Sequence, residues 1–361
     1  MKKLLDNYLS LVRNYFPDKK VSKPSVGLDI GAYSCKLVEV VPTDNSFTIS
    51  NVIVEPIVRN NAGEAIRKIM GRLDAPPKSI ATSISGQGTL IRYIDMPKMK
   101  LEDARKSFDL EADKYFPFAK EQIYTDCFIV DANAKDNKMS LLVAAAKKEI
   151  VEHRMQLLSS LGLQTNYIGI NSIAIANVFN VLKKPVEPKE EGAAGEAGKT
   201  NVFAVLDIGD VVSSLVIMKG SVPRFTRDIF IGGHELNQRI SNVLGIELSE
   251  AEKIKCQPAD KLESIRSACD AILLSLVSEV RLSFDYFVTE HNTQISKLFL
   301  TGGSSLLTGV EEIFGKNLDT PIETWNPAGP LKLSPAITES DIKKNQSFIG
   351  VALGLALYQY D

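Results

Sequence analysis

The sequence predicts an α/β protein built from two related lobes, and three observations carry that prediction. Leu28-Asp29-Ile30-Gly31…Leu37-Val38 returns 178 positions later as Leu206-Asp207-Ile208-Gly209…Leu215-Val216, with six identities in eleven positions. Each copy is entered by an apolar strand-like run and left by another, and such repetition in matched context marks a repeated supersecondary unit. A third apolar run, Lys297–Thr301, ends in Thr301-Gly302-Gly303-Ser304-Ser305 ahead of a helical pattern at about 306–317. A length of 361 residues agrees with roughly two domains.

Composition removes several function classes. The chain is 44% hydrophobic and 24% charged, values of a globular rather than a disordered protein. A formal net charge of −2 supplies no basic field for nucleic acid, so no nucleic-acid partner is expected. The longest apolar run, Phe348–Tyr358, is broken by two glycines and falls short of the ~18 residues of a spanning helix. Four cysteines at 35, 127, 256 and 269 and three histidines show neither zinc-type spacing nor a disulfide framework. Without a secretory signal, the chain reads as soluble and cytosolic.

Taken in order, residues 1–24 form a basic amphipathic extension. Leu4, Leu5, Tyr8, Leu9, Val12, Tyr15 and Phe16 fall at helical spacing, with six basic residues against two acidic ones. Such a helix either packs on its own domain or a partner, or lies on an anionic membrane through residues 1–22. The first lobe spans 25–182. Within it Ser25–Ile30 reads as a buried strand, Gly31–Tyr33 as a turn and Ser34–Val41 as a second strand. Residues 183–200, with two prolines, three glycines and balanced charge, read as a flexible loop. The second lobe spans 201–361.

Strand–turn–strand is not the strand–turn–helix of a Rossmann fingerprint or a P-loop. In a tight hairpin the glycine lets backbone N–H groups approach an anion and form a small phosphate nest. The preceding aspartate suits a hydrated Mg²⁺ bridging phosphates, and Lys36 adds a point charge. One Asp-x-Gly is more often a plain turn; two in matched context favour phosphate binding from both sides. The Gly302-Gly303 turn would let an adenine ring or a phosphate lie against bare backbone.

Together these features resemble the phosphate and adenosine motifs of the actin, heat-shock-chaperone and sugar-kinase ATPase superfamily. The resemblance narrows on LDIGAYSCKLVEV, SISGQGTLIRYIDMPKM, AAAKKEIVEHRMQLLSSLGL, RFTRDIFIGGHEL, LFLTGGSSLLTGVEE and FIGVALGLAL. In this order, over about residues 25–358, they resemble the PilM family of type IV pilus assembly, relatives of the cell-division protein FtsA. The resemblance implies an actin-like ATPase fold with a central nucleotide cleft and an FtsA-like inserted subdomain at about 90–167. It implies ATP with Mg²⁺ held by Asp29, Gly31, Ser34, Lys36, Asp207, Gly209, Gly302 and Gly303. Asp29 and Asp207 would face the metal through water, and Glu279 is expected near the ribose.

Three residues depart from the superfamily pattern. Tyr33 is bulky for a phosphate turn, Val211 stands where actin has glycine, and Asn171 stands near where an acid is common. An amide orients water but is no effective base, so binding with weak or absent hydrolysis is expected. The implied partner is the cytoplasmic N-terminal peptide of the inner-membrane protein PilN, in a groove between core and inserted subdomains; other pilus assembly proteins follow from the same resemblance. Tyr93, Met96, Tyr115 and Phe118 are the expected groove residues, with core packing the alternative for each. An FtsA-like membrane-associated filament protein and a small-metabolite kinase of the same superfamily are the competing functions.

Overall fold

The computed structural model describes residues 23–43, 46–182, 202–256 and 261–360. The N-terminal extension through residue 22 and the 183–200 loop lie outside the described residues, and so do the membrane and flexibility expectations attached to them. In chain order the first part comprises β1 (Ser25–Ile30), β2 (Ser34–Thr43), β3 (Ser46–Pro56), α1 (Ala62–Met70), β4 (Ile80–Ile84) and β5 (Thr89–Pro97). It continues through α2 (Leu101–Leu110), α3 (Ala112–Tyr115), β6 (Ile123–Ala134), β7 (Lys138–Lys147), α4 (Lys148–Ser160), β8 (Thr165–Ile170) and α5 (Asn171–Leu182). The second part comprises β9 (Val202–Ile208), β10 (Ser213–Lys219), β11 (Val222–Ile229), α6 (Gly233–Leu244), α7 (Leu248–Cys256) and α8 (Leu262–His291). It ends with β12 (Leu298–Thr301), α9 (Val310–Asn317), β13 (Ile322–Thr324), β14 (Lys332–Leu333), α10 (Glu339–Asn345) and α11 (Gly350–Leu357).

The repeat seen in the sequence is a repeat of topology. One sheet runs β14-β3-β2-β1-β4-β8 and the other β11-β10-β9-β12-β13. In each, an antiparallel hairpin opens on the Asp-x-Gly turn and its first strand then pairs in parallel with a later one, β1 with β4 and β9 with β12. The central strands are buried along most of their length because both faces are covered, the condition under which alternation disappears. Leu28, Leu37, Leu206 and Leu215 are fully buried.

Two helices join the lobes. α5 and α11 cross so closely that a Cβ on Gly354 would stand 1.7 Å from the Ala174 carbonyl oxygen. Gly27 on β1 meets α11 in the same way, 2.0 Å from the Ala352 oxygen. Only glycine permits backbone to approach backbone at these two points.

A separate three-stranded sheet, β5-β7-β6, packs α2 and α3 on one face around Phe108, Phe116 and Leu141. This insertion is shorter than the expected 90–167. α4 follows it, and β8 pairs in parallel with β4, because a parallel pair needs a crossover connection and the insertion rides on it. A second correction concerns the helix expected at about 306–317. Thr301 leads into a 3-10 turn at Gly303–Leu306, and the α-helix starts only at Val310, after Gly309 at φ 94°.

Candidate functional site

The two Asp-x-Gly turns open into one cleft between the lobes, with an open volume of about 730 Å³. It is lined from the first turn by Asp29, Gly31, Ser34 and Lys36, and from the second by Asp207 and Gly209. Asn171 and Gly303 line it as well. These eight sequence-predicted residues therefore meet in one place, although Asp29 and Asp207 are far apart in the chain.

Each turn is fixed by its own hairpin. The Gly31 N–H donates to the Ser34 carbonyl at 3.1 Å, and a Cβ on Gly31 would stand 2.9 Å from the Lys36 ammonium. On the other side a Cβ on Gly209 would stand 2.5 Å from the Val212 oxygen. Gly302 does not face the open cleft. It supports the wall from behind, at φ 88°, where a Cβ would approach Asp207 Oδ1 to 2.6 Å. A side chain there would displace the aspartate, so the glycine is a steric requirement.

The charges are coupled. Lys36 Nζ lies 2.9 Å from Asp29 Oδ2. Burial works against the Lys36 ammonium, but the Asp29 carboxylate, aided by Asp207, holds its pKa above the ordinary lysine value. Burial pushes Asp207 up to about 7; Lys36 opposes the shift, and Asp29 and Asp228 add to it. A buried carboxyl of this kind wants a cation. Among the described residues no cluster of three or more His, Cys, Asp or Glu side chains could hold a metal by itself.

Two functional candidates escaped the sequence reading. Lys255, 3% exposed, lines the cleft from α7 beside Glu252, its partner one turn earlier at 2.5 Å. Asn237 donates to the same Glu252 carboxylate. Glu279, expected near the ribose, is instead held 2.5 Å from Arg227 by the packing of α8 against β11. It does not line the cleft. The available signal for Glu252 and Lys255 was an acid and a base three residues apart, a spacing that exposed helical pairs share. At the rim, Tyr33 and Val211 stand 43% and 44% exposed.

A second, larger concavity of about 1530 Å³ lies between the inserted sheet, β8 with α5, and the β10–β11 turn. Tyr124, Phe128 and Leu142 form one wall; Tyr167, Ile173 and Tyr358 form the other. Tyr167 and Tyr358 are stacked with centroids 3.5 Å apart. None of Tyr93, Met96, Tyr115 and Phe118 lines it. Met96, Tyr115 and Phe118 pack on the core of the insertion, and Tyr93 faces Arg224 and Thr226 of β11. The aromatic run 115–118 is needed to cover α2 and β6, so it is consumed by its own subdomain.

Two lobes of one topology, joined by crossed helices and closing on paired Asp-x-Gly turns, define the fold of the actin-like ATPases. The chain belongs to the family of the type IV pilus assembly protein PilM, which it matches over residues 27–360. Among solved structures, a PilM-PilN type IV pilus biogenesis complex is similar at 24% identity and a TM-score of 0.79, over 93% of this chain and 98% of that one. The ethanolamine utilization protein EutJ from Carboxydothermus hydrogenoformans is similar at 14% identity and a TM-score of 0.52, over 93% and 90%. Among the described residues no helix is long and apolar enough to cross a membrane.

Proposed function

We propose that this chain is a nucleotide-dependent scaffold of type IV pilus assembly at the inner-membrane face of the cytoplasm. ATP with Mg²⁺ binds between the lobes, and the N-terminal peptide of PilN binds in the aromatic groove. The observation that carries the nucleotide half is the convergence of Asp29, Lys36 and Asp207 on one cleft. Glycines at 31 and 209 bring backbone N–H groups to the phosphates, Lys36 adds positive charge, and Asp29 and Asp207 hold the hydrated Mg²⁺. Glu252 and Lys255 are suited to the ribose hydroxyls, and Gly303 presents bare backbone at the cleft wall beside them.

Hydrolysis is weak or absent in this reading. Asn171 is the residue of the cleft wall best suited to orient a water, and an amide does not take up its proton. Membership of the PilM family and the likeness to a PilM-PilN complex support the partner half, and the groove has the apolar walls and few polar anchors a peptide requires. Titration calorimetry of the full chain with ATP and Mg²⁺, then with the peptide, tests both halves. Micromolar ATP binding that disappears in Asp207→Ala is expected. Equal affinity in Asp207→Ala would overturn the nucleotide reading, and rapid phosphate release from wild type in a separate turnover assay would overturn the weak-hydrolysis part alone.

A further inference from the structure

We propose that the groove takes its occupant as an added β-strand on the outer edge of β6, with Asp126 a removable placeholder there. The inference rests on the peptide-binding reading above and concerns how that peptide is held. Among the described residues β6 is the outer strand of its sheet, paired only with β7. Tyr124, Asp126 and Phe128 share one face, opposite Ala146, Ala144 and Leu142. Ile123 and Cys127 point the other way, 5% and 3% exposed, into the core of the insertion. A cavity confined to one face would meet alternate residues only. This one meets five in succession, 124–128, and reaches Arg105 from the opposite face. It therefore wraps the strand edge, where the backbone is presented.

The edge is guarded. The Cys127 N–H donates to Asp126 Oδ1 at 2.8 Å, which puts this amide on the open side, together with those of Thr125 and Ile129 two residues away. Arg105 Nε donates to the same oxygen at 2.9 Å. Both side chains are more than half exposed, so the ion pair is weak and easily exchanged. A charge set over an edge strand keeps it from pairing at random, and a peptide carbonyl can replace the carboxylate on the Cys127 amide. The opposite wall is formed by β8, itself the outer strand of the six-stranded sheet, and by Tyr358 of the stacked pair. The occupant is accordingly an extended segment with apolar side chains at every second position, facing Tyr124 and Phe128.

The probe is the synthetic N-terminal cytoplasmic peptide of PilN, N-methylated at one residue at a time and titrated against the full chain. Methylation at alternate positions should weaken binding at least tenfold, with the intervening positions within twofold. The amides of Thr125, Cys127 and Ile129 should gain protection from hydrogen exchange, and Asp126→Ala should bind the unmodified peptide severalfold more tightly. Absence of the alternation, protection at 167–170 instead, or weaker binding in Asp126→Ala would overturn strand addition while leaving the peptide reading intact. An unmodified peptide that does not bind at all would remove both.

Discussion

Asp29 and Lys36 are directly opposed across the β1–β2 ladder, and their charged ends meet at 2.9 Å. The same pair closes the first turn and presents a cation to the cleft, so fold and site share one contact. With Asp29 only 5% exposed, neither charge is indifferent to loss of the other. Removing one partner of a buried pair costs about 3–5 kcal/mol because the remaining charge is stranded. Lys36→Met is therefore expected to lower unfolding free energy by about that amount in urea denaturation, and the double variant Asp29→Asn/Lys36→Met to regain most of it. Equal losses in the single and double variants would show that packing, not charge, is responsible.

Asp207 contributes a pH dependence to the stability of the nucleotide-free protein. Its folded pKa of about 7 lies above the ordinary ~3.9 of an unfolded aspartate, so the native state holds a proton that the unfolded chain releases. The stability this carboxyl contributes is complete below pH ~4 and is lost as pH rises through 7. Each pKa unit is worth ~1.4 kcal/mol, and partial access of water reduces the total to about 2–3 kcal/mol. Asp207→Asn should flatten the slope of stability between pH 4 and 8, measured by denaturation without nucleotide. An unchanged slope would assign it to another group.

Much of the cleft was legible because its chemistry is encoded locally. A turn that needs Asp, then Gly, then a strand is written in consecutive residues at 29–31 and again at 207–209, and repetition separates it from chance. Thr301-Gly302-Gly303 is legible for the same reason, although Gly309 shifted the following helix beyond its expected start. The groove was not legible. Tyr124 and Phe128 alternate with buried Ile123 and Cys127, and nothing in that alternation tells which face another element covers. Glu252 and Glu279 posed the same difficulty, since helix registers relative to a distant sheet depend on tertiary packing.

The crossing of α5 and α11 gives a steric test. Gly354→Ala would drive a Cβ into the Ala174 carbonyl, 1.7 Å away, and backbone cannot yield as a side-chain tip does. Separating the two helices would also move Asn171, the first residue of α5. A loss of at least about 3 kcal/mol is expected, at the level of severe overpacking, with a lower melting temperature as the readout. Gly63→Ala in α1 is the control. Its nearest contact is 3.5 Å, and alanine favours a helix over glycine by up to ~1 kcal/mol, so stability should hold or rise.

The groove and the insertion core are distinguished by opposite responses to one kind of substitution. Phe128 is 54% exposed, so Phe128→Glu should change stability by no more than about 0.5 kcal/mol. It places a carboxylate against Leu142, its cross-strand neighbour, on an apolar wall of the groove, and should weaken PilN-peptide binding at least tenfold. Tyr115 packs on Phe108 with ring centroids 5.9 Å apart, and Phe118, half-buried, packs against the same core. Tyr115→Glu and Phe118→Glu should instead cost about 1–2 kcal/mol through loss of apolar packing on that core. Thermal melts paired with peptide titrations separate the two sets. Binding in Phe128→Glu within twofold of wild type would remove the groove from recognition, and full stability in Tyr115→Glu would return that residue to the surface.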